Sequence, residues 1–322
     1  MSEDKPEDGP SRIRVVVAFV AVYLLWGSTY LAIRFAVQSM PPLLMAGTRH
    51  LVSGLVMLGV ARARGVALPT RRQWRDASIV GLLLLLGSNG TVTWAEQWVP
   101  SALAALLLAS VPLWMGLIGG ILEPQSRPRT RGIAGIIVGF AGVAILVEPR
   151  GELASSTRVF VGALSILGAS ICWASGSLFA RHARVPKDPI LTVALQMLAG
   201  AAGLLVVGSA AGEWHRVHVD AITARSALSL LYLIVFGSIV GFSAYSWLLR
   251  VAAPAKVATY AYVNPMVAVL LGATLGNEPV GVRTLVAAAA IVGAVVLITS
   301  ERKMAPTRVA VPEREPLTSS EA

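Results

Sequence analysis

From residue 14 to residue 300 the chain is a succession of apolar stretches, each roughly 20 residues long, joined by short polar connections. No other feature limits the fold so strongly. About 20 consecutive apolar residues match the hydrocarbon thickness of a bilayer when helical. By that measure the chain holds ten spans, near 14–36, 42–61, 76–95, 101–122, 132–148, 159–181, 189–211, 227–249, 256–275 and 282–300. Composition agrees: 55% of residues are hydrophobic, 14% are charged, and the mean hydropathy is +0.70. A soluble helical protein of this length would need far more polar surface, since soluble chains are about 25% charged. The expected fold is therefore all-α and integral to the membrane.

The loops assign an orientation. With the N-terminus inside, the inner connections and tails carry about 20 of the 27 Lys and Arg residues. The outer ones carry only Arg150, Arg158, Arg216, Arg225 and Arg283. This positive-inside bias places both termini in the cytoplasm. It also accounts for the net charge of +10 without nucleic acid, because no basic stretch is interleaved with aromatics. The tails, 1–12 and 301–322, are polar, Pro-rich and expected to be disordered. The first span is too long for a cleaved signal peptide and lacks a small-residue cleavage site. Cys172 is the single cysteine, so no intrachain disulfide or Cys-based metal site is expected. His215 and His218 have metal-like spacing but no evident third ligand, and no metal is expected.

The chain repeats itself. WGSTYLAIR at 26–34 returns as WASGSLFAR at 173–181, with Trp and Arg at the same separation. PPLLMAGTRHL (41–51) aligns with DPILTVALQML (188–198), which sets Arg49 opposite Gln196. GSNGTVTWAEQW (87–98) matches GSIVGFSAYSWL (237–248), and Pro112 matches Pro265 in the fourth and ninth spans. Each half has five spans, an odd number, so the second half must enter the membrane from the opposite side. The expectation is an inverted repeat: first unit 13–148, periplasmic linker 149–158, second unit 159–300.

Polar groups inside spans face protein or water, because lipid leaves them unsatisfied. Trp26, Tyr30 and Arg34 are four apart and share one helical face, and Trp173, Ser177 and Arg181 repeat the spacing. They suit a cavity wall. Interfacial anchoring is the plainer role, and for Arg34 and Arg181, near span ends, it is the expected one. Arg49 lies about two turns inside its span, too deep to snorkel easily. It is expected to bind a substrate carboxylate, to gate through a salt bridge with Glu96, or to lock helix packing. Replacing Arg49 with Gln is expected to impair transport more than the same change at Arg34. Glu96 is a carboxylate that proton coupling could use, unless it is merely solvated at the outer surface. Glu123 and Glu278 close the fourth and ninth spans and are expected to cap or bridge at the surface. Pro112 and Pro265 are expected to kink their helices. Gly87 and Gly90, and Gly237 and Gly241, are expected to permit bending or close approach; Gly135 and Gly139 read as helix packing.

Several motifs together resemble the EamA family of the drug/metabolite transporter superfamily, over about residues 15–300. They are the WG and WA openings, the second-span Arg49, AEQWVPSALAALLLASVPL (95–113), and AYVNPMVAVLLG (261–272) followed by Glu278. The last two point to its YedA-like branch of bacterial inner-membrane proteins. The resemblance implies ten helices in two inverted five-helix repeats around a central cavity. It also implies cavity positions. In the first half these are Trp26, Tyr30, Asn89, Trp94 and Trp114. In the second they are Trp173, Ser177, Tyr245, Trp247, Tyr260 and Asn264.

The expected function is secondary transport of a small organic metabolite by alternating access, as export of amino acids or related compounds. Multidrug or organic-cation efflux, or nutrient uptake, is the alternative. A membrane enzyme would need clustered acid, base or metal residues in the spans, and none is evident. A non-transporting scaffold is more distant still. No nucleotide-binding loop appears, so the driving force would be a substrate gradient or protons. No catalytic residue and no cofactor is expected. The expected partners are the lipid bilayer and a small-molecule substrate, with protons as a candidate coupling ion and no nucleic acid. The chain is expected to act as a monomer or weak homodimer.

Overall fold

The computed structural model describes residues 11–122, 130–147, 156–252, 257 and 259–302. Among these the chain is helical throughout and contains no strand. The apolar helices are α1 (Arg12–Ala36), α2 (Pro42–Ala63), α3 (Arg71–Ala95), α4 (Ser101–Leu122) and α5 (Thr130–Val147). There follow α6 (Thr157–Ala180), α7 (Pro189–Ala210), α8 (from Ala224 to Val251), α9 (Tyr260–Leu275) and α10 (Val282–Arg302). Seven of them, α1–α4 and α6–α8, are long and apolar enough to cross a membrane, and α5, α9 and α10 contain shorter apolar stretches. Their positions follow the spans read from the sequence to within a few residues, except where α3 starts earlier, at Arg71, and α9 later, at Tyr260.

Two helices change pitch in the middle. α3 is an α-helix over Arg71–Gly81, a wider π-helix over Leu82–Gly90, and an α-helix again over Thr91–Ala95. α8 repeats this with Ala224–Tyr232, Leu233–Val240 and Gly241–Val251. These helices are each other's counterparts in the sequence repeat. Wide turns of this kind are rare and carry a backbone cost that regular packing does not demand.

The packing respects the same correspondence. The most extensive contacts are between α2 and α7 and between α5 and α10. α1 lies on α9 as α6 lies on α4; α1 meets α8 as α6 meets α3; α2 meets α8 as α7 meets α3. Each pair maps onto its partner pair when the halves are exchanged. In the α5–α10 seam, Gly135 and Gly142 face Ile298, Ala294, Ala290 and Ile291 so closely that an added Cβ would lie within about 3.0 Å of them. Gly139 lies as closely on Leu113 and Ala294, so the Gly135 and Gly139 pair read from the sequence packs helices.

Large apolar side chains remain on the outside of the bundle, among them Val16, Val20 and Leu24 on α1 and Leu285, Val286 and Val296 on α10. In lipid such a surface needs no cover.

The two prolines behave differently. Pro265 lies inside continuous α9, as expected. Pro112 does not kink a continuous helix: α4 is an α-helix over Ser101–Leu108, turns at Ala109 and Ser110, and restarts at Val111. Pro112 thus occupies the first turn of the resumed helix, where its missing N–H costs nothing. Glu123 lies outside the described residues.

Candidate functional site

Two helices are preceded by a proline that cannot cap them. α2 follows Pro41 and α4 follows Pro100, and neither residue offers a side-chain oxygen to the free N–H groups of the first turn. Buried, unpaired N–H groups are costly. In both cases a distant carboxylate supplies the acceptor. Glu213 accepts from Leu43 N at 3.3 Å and Leu44 N at 2.9 Å. Glu278 accepts from Ser101 N at 2.8 Å and Ala102 N at 2.9 Å. By contrast α3, α7 and α8 are capped locally by Thr70, Asp188 and Thr223.

Glu278 anchors a larger cluster. It is 8% exposed, not a surface cap, and it fits because Gly272 has no side chain: a Cβ there would lie 2.6 Å from Glu278 Oε2. Arg34 Nε reaches Glu278 Oε1 at 3.3 Å. The same guanidinium donates to the backbone carbonyls of Glu96 at 3.1 Å and Val99 at 2.9 Å. Arg34 is therefore no simple interfacial anchor. It ties the end of α1 to the α3–α4 turn and to the loop after α9. Sequence reasoning missed this role because the partner is 244 positions away in the chain.

Beside this clamp lies Glu96, completely buried, with neither carboxylate oxygen hydrogen-bonded. It is not a solvated surface acid. Nor does it form the expected ion pair with Arg49. Arg49, 4% exposed, turns toward α8 and donates from Nε to Ser238 Oγ at 2.9 Å. Its Nη2 lies against Gly237, where a Cβ would stand 3.2 Å away. The charges of Arg34, Glu278 and Arg49 all act on the Glu96 carboxylate without contacting it. The next residue on α2, His50, is 1% exposed and shares a 3.0 Å hydrogen bond between Nε2 and Asn89 Oδ1. That contact gives Asn89 a defined partner, and His50, scattered among the histidines in sequence, is a site residue the sequence did not single out.

A second cluster is aromatic. Trp26 packs against Phe242, Tyr245 and Tyr260 with ring centroids 5.1, 5.0 and 5.2 Å away, and Tyr245 meets Tyr260 edge-on at 5.8 Å. Offset and edge-on arrangements like these are the favoured ones. Trp26 Nε1 donates to Gly237 O at 3.2 Å, and it can approach α8 because Gly241 has no Cβ, which would lie 2.6 Å from that nitrogen. Asn264, on α9, has its side-chain amide 3.2 Å from the carbonyl of Tyr23 and 3.3 Å from that of Tyr260, an arrangement that suits an NH2 donor at that position. The hydroxyls of Ser28 and Tyr232 are 2.6 Å apart. Trp26, Tyr245, Tyr260 and Asn264 are thus brought together from α1, α8 and α9.

The remaining expected positions are dispersed. Trp247 packs on the apolar cluster of Ala18, Val22 and Val257, which Trp26, Tyr245 and Tyr260 also border. Tyr30 packs on the apolar core that includes Ala102 and Leu106, and Trp94 stacks edge-on with Trp98. Trp114 turns to Phe140 of α5, with centroids 5.0 Å apart, and its Nε1 is buried without a partner. Trp173 and Ser177 are half-buried on α6. His215 lies in a short helical turn between α7 and α8 and His218 just before the next one, and among the described residues no three His, Cys, Asp or Glu side chains gather to hold a metal ion.

Comparison with known proteins places this architecture. The sequence profile of the EamA-like transporter family matches twice, over residues 13–148 and 160–300. The chain is 40% identical over 296 residues to the uncharacterized inner membrane transporter YedA of Escherichia coli K12, covering 91% of this chain and 93% of that one. It is 27% identical over 280 residues to a probable amino-acid metabolite efflux pump of the same organism, covering 81% and 87%. A solved crystal structure with 24% identity superposes with a TM-score of 0.64 over 90% of this chain and 99% of its own, which speaks for the fold alone. The resemblance read from the Trp, Arg49 and VNP motifs is thus matched along nearly the whole chain, and the protein belongs to the EamA-like transporter family.

Proposed function

We propose that this family member is a secondary transporter of the bacterial inner membrane that exports a small organic metabolite, an amino acid or a related compound, by alternating access of two five-helix halves inserted in opposite senses. The observation that carries this reading is the exchange symmetry of the helix contacts, with α1–α9, α1–α8 and α2–α8 answered by α6–α4, α6–α3 and α7–α3. Two like units in opposite orientation can trade conformations, which opens a site between them to each side in turn. The pitch changes in α3 and α8 fit this, since irregular helix within a membrane is tolerated where it is buried in protein or lines a cavity. The name of the efflux-pump relative favours amino-acid metabolites.

The test is a thermal-shift screen of the purified full chain, followed by counterflow of radiolabelled hits in proteoliposomes. At least one amino acid or close derivative should stabilise the protein and exchange across the membrane. A stabilising ligand without counterflow would point instead to a non-transporting scaffold. One observation favours a second reading, efflux of organic cations: the Trp26, Phe242, Tyr245 and Tyr260 cluster offers the π faces that bind such cations. Including quaternary ammonium compounds in the same screen separates the two.

A further inference from the structure

The transport reading leaves one group unused. Glu96 is wholly buried and accepts no hydrogen bond from either side. An ionised carboxylate in that position pays a large desolvation penalty with no donor to offset it. The cations that could serve it are engaged elsewhere. Arg34 spends its guanidinium on Glu278 and on the Glu96 and Val99 carbonyls, and Arg49 spends its Nε on Ser238.

The surroundings are otherwise complete. α1 presents Tyr30 and Arg34 to this region, α2 presents Arg49, and His50 lies two turns away on Asn89. Glu278 comes from the residues after α9. α6 packs through Gly162 against Ala95 and Val99, while its Arg158 is exposed; α4 contributes no titratable side chain up to Ser110. Arg216 occupies Gln97, next to Glu96, at 3.0 Å.

Two requirements conflict here. Charge balance asks Glu96 to be ionised, because Arg34 and Arg49 otherwise face Glu278 alone. Hydrogen bonding asks it to be neutral, because it has no donor. A group pulled both ways changes state under small influences. Of the two cations, Arg34 is the one with room to move. Its side chain is 29% exposed and already touches the Glu96 backbone.

We propose that Glu96 is a proton-binding site, and that its occupancy decides whether Arg34 latches Glu278 onto the start of α4. With the proton on a carboxylate oxygen, Arg34 stays on Glu278, which holds Ser101 and Ala102 and keeps this end of the bundle closed. When the proton leaves to water past the exposed side of Arg34, the Glu96 anion draws the guanidinium away. Glu278 then loses the cation that favours its burial, and the contact between α9 and the α1–α3–α4 unit loosens. This inference rests on the transport reading and names its coupling ion, yet its test needs no substrate.

Full-length protein in lipid nanodiscs is titrated between about pH 5 and pH 9 while the carboxylic-acid C=O stretch is followed by infrared difference spectroscopy. Hydrogen–deuterium exchange of the peptide containing Ser101 and Ala102, corrected for intrinsic rates, is measured over the same range. The wild type should show an acid band lost as pH rises, with exchange of that peptide about tenfold faster at the alkaline end, the ratio given by one pKa unit of coupling. E96Q should lack the band and stay protected throughout. E278Q should keep the band and exchange fast throughout. An acid band retained in E96Q, no such band in the wild type, or pH-dependent protection that survives in E96Q overturns the proposal. A titrating Glu96 in a protein that shows no counterflow would instead count against the transport reading.

Discussion

At the scale of single residues, position along a span is a poor guide to what an intramembrane charge does. Arg34 lies near a span end, where snorkelling is cheap, yet it holds a buried carboxylate and two backbone carbonyls. Depth ranks Arg49 above Arg34 for transport, but these contacts give Arg34 a structural role that depth does not report. Arg34→Gln leaves Glu278 buried without its cation, and it should destabilise the fold by roughly 1–3 kcal/mol, below the range of a fully buried pair because Arg34 is partly exposed. Gly272→Ala should act in the same direction through a different atom, since its methyl group would collide with Glu278 Oε2 at 2.6 Å. A lower melting temperature in both variants, measured on detergent-solubilised protein, is the expected result. Wild-type stability in either would refute the clamp.

At the scale of elements, the wide segments Leu82–Gly90 and Leu233–Val240 are what aim the polar residues. Asn89 meets His50 from inside the first, and Ser238 meets Arg49 from inside the second. Deleting one residue from the first, such as Leu86, would rotate everything after it by about 100° on an α-helix. Trp94 and Glu96 would then leave their present neighbours. The deletion should abolish counterflow while far-UV circular dichroism still reports a helical protein. Retained counterflow would mean that the pitch change is incidental.

At the scale of the whole molecule, the one-sided distribution of Lys and Arg bears on insertion, and the exchange of contacts between halves is compatible with it. Both are met if α1 and α6 enter from opposite sides and both termini stay in the cytoplasm. A green fluorescent protein fused after Ala322 should therefore fluoresce, whereas an alkaline phosphatase fused there should be inactive. The reverse pattern would invert every assignment of inner and outer ends made from the loops.

The sequence by itself determined the class of fold, the order and approximate limits of the helices, and the correspondence of the two halves. It could do so because hydropathy over about 20 residues is a local property and a repeat is visible by alignment. Trp26, Tyr260 and Asn264 stood out in the sequence as polar or aromatic residues inside spans and Tyr245 only through the family resemblance, while their meeting with Phe242 is a product of packing. What only the tertiary structure decided is which charge meets which. The pairing of Arg34 with Glu278, of Glu213 with α2, and of Arg49 with Ser238 rather than Glu96 joins residues 169 or more positions apart for all three observed contacts. One trace of these contacts was local: α2 and α4 begin at prolines with no capping side chain, so their free N–H groups required acceptors from somewhere. The sequence stated that need, and the packing of the helices chose the carboxylates that meet it.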